Sequence, residues 1–190
     1  MYDLHSILIQ LKKEDTPLHG VMVRCVRCFY QWLDPTLWEG SALFELWAQE
    51  LELIYGDLRQ RLSPNAKTDA GSLSDRFGFD TPPELPRLLQ SIQTFYSVLI
   101  KLIAWNTLRG ATPEPPLTEL LSGRAFVNRG IRNFCGDDWY IWPLDIWDPA
   151  LETQCEELRA CLEAFDTCPE GSILSPDSLS RIYETVVPPA

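Results

Sequence analysis

The sequence predicts an all-α fold, an irregular multi-helix bundle interrupted by one tryptophan-rich irregular segment. Apolar residues recur at the three- and four-residue spacing of a helix along most of the chain. No stretch of useful length alternates apolar and polar residues, as a half-buried strand does. A chain of 190 residues with 45% hydrophobic residues can bury one core and is short for two. We therefore expect a single helical domain over residues 1–190.

The first third of the chain contains three predicted helices. Residues 3–13 place their leucines and isoleucines on one helical face. The next helix begins with Thr16 as N-cap and Pro17 at the first helical position, where the missing N–H costs nothing. A third amphipathic segment covers residues 38–55, and Gly56 is suited to end it.

The rest of the chain predicts one long helix and three shorter ones. Residues 63–84 are rich in Ser, Pro, Gly, Asp and Thr, which indicates a loop. Residues 85–103 keep the helical apolar spacing over about five turns and form the expected central helix. Shorter helices are expected at 117–121, 149–165 and 175–187.

Residues 122–148 form the irregular aromatic segment, which has neither helical nor strand periodicity. Large aromatic side chains bury much area, so they can pin such a segment onto a helical core. Alternatively, Trp139 and Trp142 are exposed and form a docking surface for DNA or a protein partner. Both interpretations apply to the apolar residues Phe126, Ile131, Phe134, Trp139, Trp142 and Trp147.

The same segment carries Arg124, Arg129 and Arg132 in a chain whose net charge is −11. These arginines can form a local basic patch that contacts DNA phosphates or a partner. They can also be structural, paired with carboxylates such as Asp137 or Asp145. The net negative charge predicts that the isolated chain binds duplex DNA weakly or not at all near physiological salt, because affinity for DNA comes mainly from cations.

The sequence indicates no catalytic, metal or cofactor site. Cys25 and Cys28 lack a second Cys-x-x-Cys pair, and the two histidines are not spaced as metal ligands. The six cysteines are interpreted as mostly buried thiols. Asp137 and Asp138 lack the accompanying acidic-x-Lys element of a nuclease site, and no phosphate-binding glycine loop is present.

The expected location is the cytoplasm, without a membrane partner. The apolar run in "FYSVLIKLIAW" is short and ends in "NTLRG", which argues against a membrane span. The N-terminus has no basic segment followed by a small-residue cleavage site, as a signal peptide has.

Four segments carry a resemblance to a known family. They are "ELWAQELELIYGD" (45–57), "LLQSIQTFYSVLIKLIAWNTL" (88–108), "LLSGRAFVNRGIRNFCGDDWYIWPLD" (120–145) and "LSRIYETVVPP" (179–189). In this order they resemble the helical region that precedes the catalytic domain of large adenine-specific DNA methyltransferases of restriction-modification or phage-defence systems.

This resemblance implies a non-catalytic N-terminal module that acts as a scaffold or as part of a DNA clamp. Its partner would be the methyltransferase catalytic domain or subunit, with DNA contacted indirectly. The family's (Asn/Asp/Ser)-Pro-Pro-aromatic motif is missing, because the Pro-Pro pairs read "TPPE", "EPPL" and "VPPA". A cofactor loop is also missing, so no S-adenosylmethionine binding and no activity are expected of this chain alone.

Two hypotheses therefore remain open. The chain, which stops about where the catalytic domain would begin, is either a fragment or a split version of that module. Alternatively, it is a stand-alone acidic helical protein that regulates a nucleic-acid enzyme.

Overall fold

The computed structural model describes residues 4–33, 74–81, 83–108, 112–135, 140–164 and 176–186, together with residues 49 and 110. Of these described residues 71% are helical and none lies in a strand. The predicted all-α fold is confirmed. The predicted helix at 38–55, apart from residue 49, and Gly56 at its expected end lie outside the described residues, as does Ser175, the expected N-cap of the last helix.

Seven α-helices and one 3-10 helix are assigned bounds within the described ranges. They are α1 (Leu4–Lys12), α2 (Pro17–Trp32), α3 (Leu85–Leu108), α4 (Leu117–Leu121), α5 (Arg124–Val127), a 3-10 helix (Trp142–Leu144), α6 (Pro149–Glu163) and α7 (Pro176–Val186).

The core lies where α2, α3 and α6 meet. Helix α2 packs extensively against both α3 and α6, and α1 and α7 cover one end of this group. The central role predicted for the long helix is therefore shared with α2. Fully buried side chains come from all three helices, among them Phe29 of α2, Phe95 of α3 and Leu158 of α6.

Local sequence signals account for how α2 and α6 begin. The Thr16 hydroxyl accepts a hydrogen bond from the backbone N–H of His19, and Pro17 occupies the first turn, as predicted. Helix α6 begins in the same way, because the Asp148 carboxylate accepts from the N–H groups of Ala150 and Leu151. Both caps satisfy donors that no helical carbonyl reaches.

Helix α3 is longer than its apolar pattern indicates, since it ends at Leu108. Within it, Pro86–Leu108 is long and apolar enough to span a membrane by length and composition. However, 83% of its most apolar window is buried inside the protein. The helix therefore has the burial of a core helix.

Lys101 is the buried charge on α3. Its side chain is 3% exposed, and Nζ donates to the carbonyl oxygen of Leu121 at 2.8 Å. From its position on an apolar helix, Lys101 is expected either to extend its ammonium group to water or to pair with a carboxylate, and its burial excludes the first of these. Its hydrogen bond satisfies a carbonyl at the end of α4, which joins α4 to α3.

Two regions that were expected to be irregular contain helical turns. Residues 74–77, inside the predicted loop 63–84, form a single helical turn in which Phe77 is fully buried. The segment 122–148 contains α5 and the 3-10 helix. All three turns are too short for a helical period to be visible in the sequence.

The described cysteines are free thiols. Cys25 and Cys155 are buried, whereas Cys28, Cys135 and Cys161 are half-buried, so the interpretation as mostly buried thiols holds for two of these five. Burial raises the pKa of Cys155 to about 12 and raises that of Cys25 well above its ordinary value. Neither thiol is poised as a nucleophile, because the thiolate is the reactive form.

Candidate functional site

Residues 123–135 form a loop that closes on itself, which we call the arginine loop. Gly123 at its start has φ +79°, and a Cβ added there would overlap the carbonyl oxygen of Phe134 and lie 2.9 Å from the backbone nitrogen of Cys135. The two ends of the loop thus meet in backbone contact. Only glycine allows this approach together with a positive φ.

An aromatic cluster fixes the arginine loop to α3. Phe126 is fully buried, and its ring meets Trp105 of α3 edge-on at 5.8 Å between centroids. Phe134, from the other end of the loop, packs against Phe126 at 4.5 Å. Ile131 donates its backbone N–H to the Phe126 carbonyl, so the loop folds around this ring.

Trp142 lies in the core and not on the surface. It is 3% exposed, its indole N–H donates to the hydroxyl of Thr94 at 2.9 Å, and its ring meets Phe29 edge-on at 5.9 Å. Trp142 therefore lacks the exposure that the docking interpretation requires, and the anchoring interpretation fits its burial. Trp139 lies outside the described residues.

The guanidinium of Arg129 is held in place by contacts with other residues of the protein. Its guanidinium donates to the Leu108 carbonyl at 2.7 Å and to the hydroxyl of Thr112, and it lies over the Trp105 ring at 5.7 Å. These contacts hold the arginine loop against the end of α3. The structural interpretation of Arg129 therefore fits the geometry. The partners that these contacts provide are the Leu108 carbonyl and the Thr112 hydroxyl, where the sequence suggested carboxylates.

Arg124 and Arg132 are exposed. Within the described part of the chain neither guanidinium has a hydrogen bond or an ion pair. Asn128 and Asn133 are also exposed, and residues 122–135 contain no Asp or Glu. The outer face of the arginine loop is thus cationic and rich in hydrogen-bond donors, although the chain as a whole is acidic.

A second polar region, which we call the Arg76 cleft, lies where the C-terminal ends of α1 and α7 and the N-terminal end of α2 meet the turn at residues 74–77. It is an open cavity of about 690 Å³. Its basic lining groups are Lys12, His19 and Arg76, and its carboxylates are Glu14, Asp75 and Glu184. The sequence did not indicate this cleft, because three chain segments that are distant in sequence supply its walls.

His19 is 7% exposed within the Arg76 cleft. Burial, and next the positive charge of Arg76, lower the pKa of His19, whereas Glu14 acts in the opposite direction through its charge and its backbone carbonyl. The neutral imidazole is therefore the form that the folded protein favours.

We expect the free energy of unfolding to fall as the pH drops below 6.5, the ordinary pKa of histidine. The unfolded chain then takes up a proton at His19 before the folded chain does, which favours unfolding. Above pH 6.5 the imidazole is neutral in both the folded and the unfolded state, so it does not make the free energy of unfolding depend on pH. Urea unfolding across this range, compared with the His19→Gln variant, measures the effect. An identical pH dependence of the variant would contradict this assignment.

The described residues contain no group of three or more His, Cys, Asp or Glu side chains that could hold a metal ion. Asp137 and Asp138 lie outside the described residues. The arrangement is suited to contacts with a partner, through the arginine loop and the Arg76 cleft.

Sequence reasoning missed the residues that give the site its shape. Gly123 is important because its backbone touches Phe134, and no local pattern reveals that contact. Arg76 stands in a stretch interpreted as loop. Comparison with known proteins adds no relative, since no family model, no curated protein and no solved structure matches the chain.

Proposed function

We propose that this chain is a non-catalytic helical module of an adenine-specific DNA methyltransferase or restriction-modification enzyme. In this role it is a scaffold that docks against the catalytic domain or subunit and adds a DNA contact to those made by that partner. The resemblance of four sequence segments to such enzymes supports the proposal. The chain alone needs no cofactor for this role.

The observation that carries the proposal is the outer face of the arginine loop. Arg124, Asn128, Arg132 and Asn133 are each exposed there, and residues 122–135 contain no carboxylate. Arginine is suited to pair with phosphate, and asparagine donates to phosphate and to base edges. A surface of this composition supports contact with a nucleic acid.

Charge explains why this contact would be an auxiliary one. The chain carries 27 acidic and 16 basic residues, and their net charge opposes the approach of DNA at long range. At low ionic strength a few phosphate contacts are strongest, because salt competes with them. We therefore expect weak binding by the chain alone, and stronger binding once a DNA-binding partner holds the loop in place.

The double variant Arg124→Ala/Arg132→Ala tests the proposal. Fluorescence anisotropy with a labelled DNA duplex at low salt should show weak binding by the parent chain and reduced binding by the variant. The dependence of log K on log salt should flatten by about 2, because two phosphate contacts are lost.

Arg24→Ala/Arg181→Ala is the charge-matched control, since both of these arginines are exposed and lie outside the arginine loop. It should retain the salt dependence of the parent chain. Equal losses in both double variants would indicate a non-specific charge effect and contradict a role for the loop. No DNA binding by the parent chain, even at low salt, would favour the acidic interaction protein instead.

A further inference from the structure

We propose that the Arg76 cleft binds a small zwitterion of the amino-acid type, whose carboxylate pairs with Arg76 and whose ammonium group faces Glu14 and Glu184. This inference is independent of the arginine loop and of DNA. It rests on the position of the Arg76 guanidinium, on the charges around it and on the volume of the cleft.

Arg76 is a half-buried cation without a carboxylate partner in the described residues. One of its NH groups donates to the backbone carbonyl of Thr185 in the last turn of α7, and the guanidinium lies 5.4 Å from the centre of the Phe77 ring. Three carboxylates line the same cleft, yet none forms an ion pair with Arg76 in the described part of the chain. Burial also lowers the pKa of this guanidinium.

These contacts position the guanidinium by one hydrogen bond and one ring contact and leave it without an ion pair among the described residues. A buried charge without a counterion is costly, and the cost is removed when an anion pairs with it. The planar guanidinium matches a carboxylate with two parallel hydrogen bonds. The contacts to Thr185 and Phe77 prearrange Arg76 for such a partner.

The other charges of the cleft decide which anion fits. Glu14, Asp75 and Glu184 are exposed carboxylates of the lining and repel a ligand with several negative charges. They attract an ammonium group. A volume of about 690 Å³ lies within the range of small-molecule sites. A ligand with one carboxylate and one ammonium group satisfies both sets of charges.

Isothermal titration calorimetry and NMR chemical shifts test the inference on the full chain. The probes are glycine, leucine, lysine and glutamate, with acetate and ethylamine as the two half-ligands. We expect at least one amino acid to bind in the millimolar range or tighter and to shift the resonances of His19, while acetate and ethylamine bind more weakly. No binding by any of the four amino acids, or equal binding of acetate, would overturn the proposal.

Two variants locate the binding. Arg76→Gln keeps a donor for the Thr185 carbonyl and removes the charge, so affinity should fall about tenfold to a hundredfold. Glu184→Gln changes an exposed residue without threatening the fold and should weaken the amino acid while leaving acetate unaffected. Arg24→Gln, outside the cleft, is the control. Unchanged affinity in Glu184→Gln, or in a folded Arg76→Gln, would place the ligand elsewhere and refute the inference.

Discussion

Replacing Gly123 with alanine is expected to destabilise the protein by about 4 kcal/mol or more, among the larger effects of a single substitution. The new Cβ would overlap the carbonyl oxygen of Phe134, and φ +79° is unfavourable for any residue with a Cβ. Since both ends of the arginine loop are involved, the loop cannot close without moving its backbone. Urea unfolding followed by far-UV circular dichroism measures the loss.

Gly130→Ala is the matched control, because Gly130 lies in the same loop at φ +77° with no atom within 4 Å of an added Cβ. It carries the conformational penalty without the overlap and should cost about 1–2 kcal/mol. Similar losses in the two variants would mean that the backbone contact between Gly123 and Phe134 does not contribute to stability.

Replacing Trp142 with alanine is expected to cost about 3–5 kcal/mol, as is typical when a large aromatic side chain is removed from a core. The substitution removes the contact with Phe29, leaves a cavity beside α3 and removes the N–H that donates to the Thr94 hydroxyl. Thermal and urea unfolding should both show the loss.

Trp32→Ala provides the comparison, because Trp32 is 38% exposed and its removal should cost less than about 1 kcal/mol. Thr94→Val removes the acceptor of the buried Trp142 indole N–H, together with the bond that the Thr94 hydroxyl donates to the Gln90 carbonyl, at a cost of about 1–3 kcal/mol. A small effect of Trp142→Ala would mean that Trp142 does not anchor the core and would favour the interpretation as an exposed docking residue.

The helices could be predicted because their signals are local. Thr16 and Pro17 specify the start of α2 within a single turn. The spacing of the leucines in α3 is enough to predict that they are buried. Helix α3 continues to Leu108, where polar residues such as Asn106 interrupt the apolar pattern although they are buried. The spacing of apolar residues therefore does not predict that these last turns are buried.

The candidate site could be predicted only in part, because its geometry depends on contacts between distant segments. The sequence identifies three arginines, but it does not distinguish them. All three are exposed, but the guanidinium of Arg129 donates to the Leu108 carbonyl, whereas those of Arg124 and Arg132 make no hydrogen bond or ion pair in the described part of the chain. In the same way, Trp142 is an anchor because Thr94 and Phe29 surround it.

The backbone contact between Gly123 and Phe134 also bears on the conformational entropy of binding. A loop that must become ordered on a partner loses backbone freedom at that step, at about 1–2 kcal/mol per residue. The arginine loop is already closed at its base and wrapped around Phe126, so this loss occurs during folding. Binding through Arg124 and Arg132 then has to restrict only side chains, which raises the affinity obtained from few contacts.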